Sequence, residues 1–172
     1  MTQTSFTIKV LLLVVVFFPG CDTGLGPLNE PAGFRGTIHF TNWPPVDSVK
    51  DLRLVAFETF PSDSAGIVPA LLTGRAVVYP PIGLPLGFPQ FQDTVSYELT
   101  TQETSLQLKK YDYVIVVLRY GRNLVADWKP VGVYTTNPGS FEPSPVRVLL
   151  HKITPGIDIV VDFHNPPPKP WR

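Results

Sequence analysis

Few residues in this chain are equipped for chemistry. There are three histidines, His39, His151 and His164, and one cysteine, Cys21. Nucleophilic catalysis needs Ser, Thr or Cys beside a base, and no Gly-x-Ser-x-Gly elbow is present. Gly24-Leu25-Gly26 is the nearest thing to a phosphate cradle, and it opens no helix. Asp158, Asp162 and His164 share one face of a candidate strand. Residues i and i+2 of a strand project the same way about 6.5 Å apart, so Asp162 and His164 have the spacing to pinch a metal ion, as a metal-dependent hydrolase would require. Two or three ligands without a further cluster are also what an ordinary solvent face looks like, and that reading is adopted. His39 and His151 are taken as polar-face residues on the same argument. The expectation is a protein that is not an enzyme, with no catalytic residue, no metal and no cofactor.

Loop aromatics are the better lead. Trp43 precedes Pro44-Pro45, while Tyr120-Gly121-Arg122-Asn123 and Asp127-Trp128-Lys129-Pro130 flank another loop. Exposed rings on such loops stack on sugar rings or grip peptide segments. Trp43, Tyr120 and Trp128 are thus candidate ligand contacts, with Asn123, Asp127 and Arg122 supplying polar groups. The competing reading, favoured here, has Trp43 and Trp128 capping the ends of the core, because Trp is highly buried on average. Ile82–Phe91 sets Leu84, Leu86, Phe88 and Phe91 among prolines and is expected to fold back over a sheet edge.

Composition narrows the class. The chain has 172 residues, 14 basic against 14 acidic, so its formal net charge is zero. Nucleic-acid binding is excluded as an expectation, since phosphate neutralisation needs clustered Lys and Arg. At 44% hydrophobic and 12% aromatic it can bury a core. One Cys excludes a disulfide framework and a multi-Cys zinc site. Proline, at 20 residues, is abundant.

The front of the chain reads as an address. Lys9 supplies one positive charge and Val10–Phe18 is an unbroken apolar run. Nine residues span about 14 Å as a helix, half of a hydrocarbon core, which suits a signal-peptide h-region and not a membrane span. Pro19-Gly20-Cys21 follows at once. This resembles the lipobox of bacterial lipoproteins, although Phe18 stands where Leu is usual and Pro19 where Ala or Ser is usual. The resemblance implies that Cys21 becomes the lipid-modified first residue of the mature protein. The organisation expected is a signal peptide over 1–20, a flexible Gly- and Pro-containing tether over 21–33, a globular domain over 34–164 and a Pro-rich tail over 165–172. Without Lys9 the balance is 13 basic to 14 acidic side chains; such a surface has no electrostatic reason to lie flat on anionic lipid, and the domain is expected to stand off the membrane on its tether.

After residue 30 the apolar pattern has period two and no convincing helical period. Phe34, Gly36, Ile38 and Phe40 share a face. Leu52–Phe57 reads as an interior strand. Val95, Tyr97 and Leu99 alternate with polar residues, and Leu106 and Leu108 continue a short strand. Tyr111–Tyr120 is apolar on both faces, which places it at the centre of a sheet. Val131–Thr135 is short, Val146, Val148 and Leu150 alternate, and so do Ile157, Ile159, Val161 and Phe163. Pro61–Asp93 is a long loop with strand character only at Arg75–Tyr79. The fold class expected is all-β, a single antiparallel β-sandwich of immunoglobulin or transthyretin-like type with about eight strands; a closed β-barrel is the alternative.

Tyr97-Glu98-Leu99, Leu106-Gln107-Leu108 and Tyr111-Asp112-Tyr113-Val114-Ile115-Val116 follow the order seen in transthyretin-like and carboxypeptidase-regulatory-like sandwiches, which the stretch resembles over roughly residues 33–120. The family's Pro-Gly turn is replaced by Lys109-Lys110. The resemblance implies a spacer, accessory domain or binding platform. The function expected is that of a non-enzymatic, membrane-anchored envelope lipoprotein, its domain in the periplasm or at the cell surface. Its partners would be the membrane, through the N-terminal lipid, and an envelope protein or a glycan. A carbohydrate-binding or adhesion module is the alternative.

Overall fold

A computed structural model describes residues 31–59, 62–82, 87–124 and 126–168. Val10–Phe18, Cys21, Leu84, Leu86 and Trp171 lie outside these residues. The strands are β1 Gly33–Thr41, β2 Asp51–Phe57, β3 Ala76–Tyr79, β4 Thr94–Thr100, β5 Lys110–Tyr111, β6 Tyr113–Arg119, β7 Trp128–Val133, β8 Val146–Arg147, β9 Ile153–Thr154 and β10 Ile159–Asp162. One short helix, α1 Ile67–Leu72, sits inside the long loop between β2 and β3. No helix among the described residues is long and apolar enough to cross a membrane.

The main sheet runs β3-β2-β6-β7-β10-β1-β4, with β9 beside β1, and β5 pairs separately with β8. The protein is mostly β, as the period-two alternation predicts. The purely antiparallel arrangement is not what forms. β1 runs parallel to both β9 and β10, so the sheet is mixed. Alternation decides which face of a strand is buried and is silent on the direction of its neighbour. Leu106–Leu108 is also not a strand: Leu106 turns into the core, while Leu108 is exposed.

The sheet curls into a half-barrel. Its inner face carries Phe34, Ile38, Leu54, Leu99, Val116 and Ile159, drawn from five strands and all fully buried in one cluster. Each such side chain contributes about 1.5–3 kcal/mol by leaving water. The two outermost strands approach each other across a plug. The Phe88 ring lies 5.9 Å from Tyr79 of β3 and 6.4 Å from Tyr97 of β4. Tyr79 and Glu98 stand close together across the same gap. Phe88 N–H also donates to the Leu52 carbonyl at 2.8 Å, beside the part of β2 that β3 does not reach.

A second cluster lies on the outer face. Val55, Phe57, Tyr113, Ile115, Val117 and Val133 are covered by Ile67, Ala70 and Leu71 of α1 and by Trp128. The helix residues follow i, i+3, i+4, with Val68 and Leu72 turned to solvent. This is why β6 is apolar on both sides.

β10 completes the sheet. Its register with β1 differs from that of β9 by one residue: the offset is 120 at Gly33–Ile153 and 121 at Ile38–Ile159. The extra residue bulges over β1 at Pro155–Asp158. There Ile157 N–H donates to the Arg35 carbonyl at 3.1 Å, and the Thr37 N–H donates to Asp158 Oδ1 at 2.7 Å. The Tyr97 hydroxyl donates to the Ile157 carbonyl at 2.6 Å. Burial, then the Asp158 charge, push the Tyr97 phenol well above its ordinary range, so it stays a donor. A Cβ at Gly36 would run into the Ile157 carbonyl. Gly36→Ala is therefore expected to cost about 1–3 kcal/mol, as overpacking against rigid backbone does. A urea midpoint unchanged from wild type would contradict this.

Candidate functional site

Strand directions sort the loops into two ends. β1 enters at Gly33, opposite Ile153 and Thr100, and leaves at Thr41, opposite Asp162. β7 runs against β10, so Trp128 and the β6–β7 hairpin lie at the Thr41 end. All the candidate ligand contacts therefore sit at the end of the body far from Gly33.

They do not form one platform. Trp43 belongs to the inner core. Its ring lies 4.9 Å from Phe40, 4.7 Å from Phe163 and 4.9 Å from Phe91, and its indole N–H donates to the Gln92 carbonyl at 3.2 Å. Phe91 is held at φ +58, a left-handed conformation uncommon for a bulky side chain, and its ring rests on Trp43. Trp128 covers the outer face instead. Its indole N–H donates to the Leu124 carbonyl at 2.8 Å, and the Arg119 guanidinium stands 6.0 Å above its ring. The two tryptophans are separated by the sheet itself, each packed on a different core cluster, whereas the capping reading places both at the ends of one core.

Within the hairpin the polar groups work on the loop. Asp127 Oδ2 accepts from the Asn123 N–H at 2.8 Å, and Asn123 Oδ1 accepts from the Ala126 N–H at 2.9 Å. The Tyr120 N–H donates to the Asp127 carbonyl at 3.1 Å, closing the turn. Asx side chains hold tight turns by such bonds. Tyr120, at 43% exposure, and Leu124, at 73%, remain presented to solvent.

Asp162 and His164 are brought together at the end of β10. Asp162 Oδ1 accepts from the Asn42 side-chain amide at 2.8 Å and from the His164 backbone N–H at 2.9 Å. The carboxylate ties the end of β10 to the turn after β1. Among the described residues no group of three His, Cys, Asp or Glu side chains is arranged to hold a metal. His39 and His151 are both exposed and lie towards opposite ends of β1, His39 opposite Thr94 and His151 beside Pro31.

Two polar features escape the sequence reading. Arg53 lies on the outer face of β2 yet is buried. It donates to Asp51 Oδ2 at 2.9 Å and to the Pro80 and Pro81 carbonyls at 2.6 and 2.9 Å, fastening the proline segment to the sheet. Asp51 stands opposite Arg119 in the β2–β6 register, and Asp51 Oδ1 and Arg119 Nε are buried without a hydrogen-bond partner. An Asp and an Arg at i and i+2 mark a shared strand face and nothing more specific.

No protein-family model matches the chain, and comparison with curated proteins and with solved structures finds no match either.

The Asp162 geometry has a pH signature. The Asn42 bond, then the His164 N–H, hold its carboxyl below its ordinary value of 3.8. Its contribution to stability is complete above that value and is lost as pH falls through the lower folded one. Asp162→Asn keeps an acceptor but cannot titrate. Thermal melts from about pH 5 down to about pH 2 should show the wild type losing ground to the variant only below about pH 4. Parallel curves for the two proteins would contradict the assignment.

Proposed function

We propose that this chain is a non-enzymatic, lipid-anchored envelope protein with an interaction or structural role, its body held in the periplasm or at the cell surface. The observation that carries the reading is Cys21 placed directly after the nine-residue apolar run Val10–Phe18 and Pro19-Gly20, the arrangement of a lipobox. One acyl chain gives marginal membrane affinity and two or more give stable anchoring, so acylation of Cys21 would account for attachment without a spanning helix. The architecture is compatible with this. Gly33 opens β1 at one end of the body, and the exposed hairpin residues lie at the other. The transthyretin-like, sandwich-type reading of the body is part of the proposal, supported by the Tyr97 to Val116 pattern; the parallel β1–β10 pairing is a departure from its antiparallel form.

A second reading, contact with a glycan or an envelope protein through the β6–β7 hairpin, is favoured by the exposure of Tyr120 and Leu124 beside Trp128.

The anchor is tested by Cys21→Ser. The variant is expected in the soluble fraction and the wild type in membranes; a variant that stays with the membranes overturns lipidation as the mechanism. The hairpin reading is tested by intrinsic fluorescence. Saccharide stacking near Trp128 should quench emission, with the effect reduced in Tyr120→Ala. A glycan panel that leaves emission unchanged overturns it.

A further inference from the structure

We propose that the end of the body where residue 31 begins lies on the lipid surface itself, through a leucine patch rimmed by cations. This deepens the anchored reading and rests on it. The patch is built from three segments. Pro31, Ala32, Leu106, Leu108, Leu150 and His151 line an open groove of about 500 Å³. Leu108, Leu149 and Leu150 are 51%, 42% and 63% exposed. The β5–β8 ladder pairs Lys110 with Arg147, and the Val148 N–H donates to the Lys109 carbonyl at 3.0 Å, so continuing the ladder sets Leu108 across from Leu149. Leu108, Leu149 and Leu150 are thus exposed on neighbouring segments, with Thr101, Gln102 and Gln107 also lining the groove; a cluster of exposed apolar residues is the kind of surface that marks an interaction site.

The rim suits a phosphate-bearing surface. Lys110, Arg147 and Lys152 are exposed. Lys110 and Arg147 stand directly opposite each other, and Lys110 is already paired with Asp112 at 2.8 Å, so the uncompensated cations of the rim are Arg147 and Lys152. Of the acidic groups at this end, Glu58 pairs with Lys109 at 2.9 Å, and Glu103 is exposed next to Gln102 of the groove lining. Arg147 and Lys152 have no acidic partner at ion-pair distance among the described residues. The balanced total charge thus conceals a local arrangement of basic rim and apolar centre, the pattern of an interfacial contact.

Chain connectivity selects lipid as the occupant. The Gly33 N–H donates to the Lys152 carbonyl at 3.0 Å, so the preceding residues join the body within the patch. Pro31 follows Cys21 by ten residues, which reach at most about 35 Å when extended. An acyl chain on Cys21 therefore confines the leucines to the neighbourhood of the bilayer, where even a weak contact is favoured by effective concentration.

The test uses the full-length protein carrying an environment-sensitive fluorophore at Leu150→Cys, or at Leu124→Cys on the far hairpin. The protein is reconstituted on vesicles of phosphatidylethanolamine and phosphatidylglycerol, with and without a nitroxide-labelled lipid. Mass spectrometry reads the state of Cys21 in the same samples. The Leu150 probe should brighten several-fold and be quenched by nitroxide, and the Leu124 probe should do neither. A Leu150 probe as unresponsive as Leu124 overturns the proposal, and if Cys21 is acylated in that sample the anchor survives it. Quenching at Leu150 with unmodified Cys21 upholds the patch and overturns the anchor. Equal quenching on phosphatidylcholine vesicles overturns the role given to the cations. Burial of the Leu150 probe without vesicles, with a dimer mass by light scattering, assigns the patch to a second copy and overturns the proposal.

Discussion

Everything in this fold depends on the seating of one late strand. β10 lies between β1 and β7, and without it the main sheet separates into β3-β2-β6-β7 and β1-β4. The fit is steric on both sides. Towards β1 the bulge at Pro155–Asp158 passes over Gly36. Towards β7 a Cβ at Gly132 would meet the Val161 and Ile159 methyls at 2.7 and 2.9 Å. Two missing side chains let a parallel neighbour and an antiparallel one close on the same strand. Ile159 and Val161 then fill the inner core with no exposed surface.

The half-barrel solves its edge problem with side chains. β3 and β4 do not pair, yet the gap between them is occupied: Phe88 fills the space between Tyr79 and Tyr97. A blocked edge cannot recruit another strand at that point. The outer face is handled differently. There α1 and Trp128 lie across β2, β6 and β7, so the residue that looks most like a ligand platform is part of the covering. What the hairpin turns to solvent is Tyr120 and Leu124, while the indole packs on the sheet.

Much of this was legible in the residues. The unbroken apolar face pair of Tyr113–Leu118 places β6 inside the sheet, and the alternation of Ile157, Ile159, Val161 and Phe163 marks a half-buried strand. The lid over β6 was not legible, because six residues carry too little periodicity to announce a helix. Strand direction was hidden for the same physical reason that alternation is informative, since side-chain facing is unaffected by which way a neighbour runs. At the hairpin, Asn123 and Asp127 are equally suited to binding a sugar and to closing a turn, and only the distances to the Asn123 and Ala126 amides separate the two uses. Leu149 and Leu150 sat inside a plausible strand pattern that continued Val146 and Val148. The chain turns at 150–151 instead, with His151 at φ +52, and both leucines emerge.

Placing the closing strand last has a kinetic meaning. β1 meets β10 across a separation of about 120 residues, so the loop to be closed is nearly the whole body, and non-local pairing of this kind is slow. During synthesis from the N-terminus, β1 waits without its inner neighbour until Ile159–Asp162 has been made. A product stopped short of Ile159 would expose two bare ladders, on β1 and β7, and would be prone to aggregate.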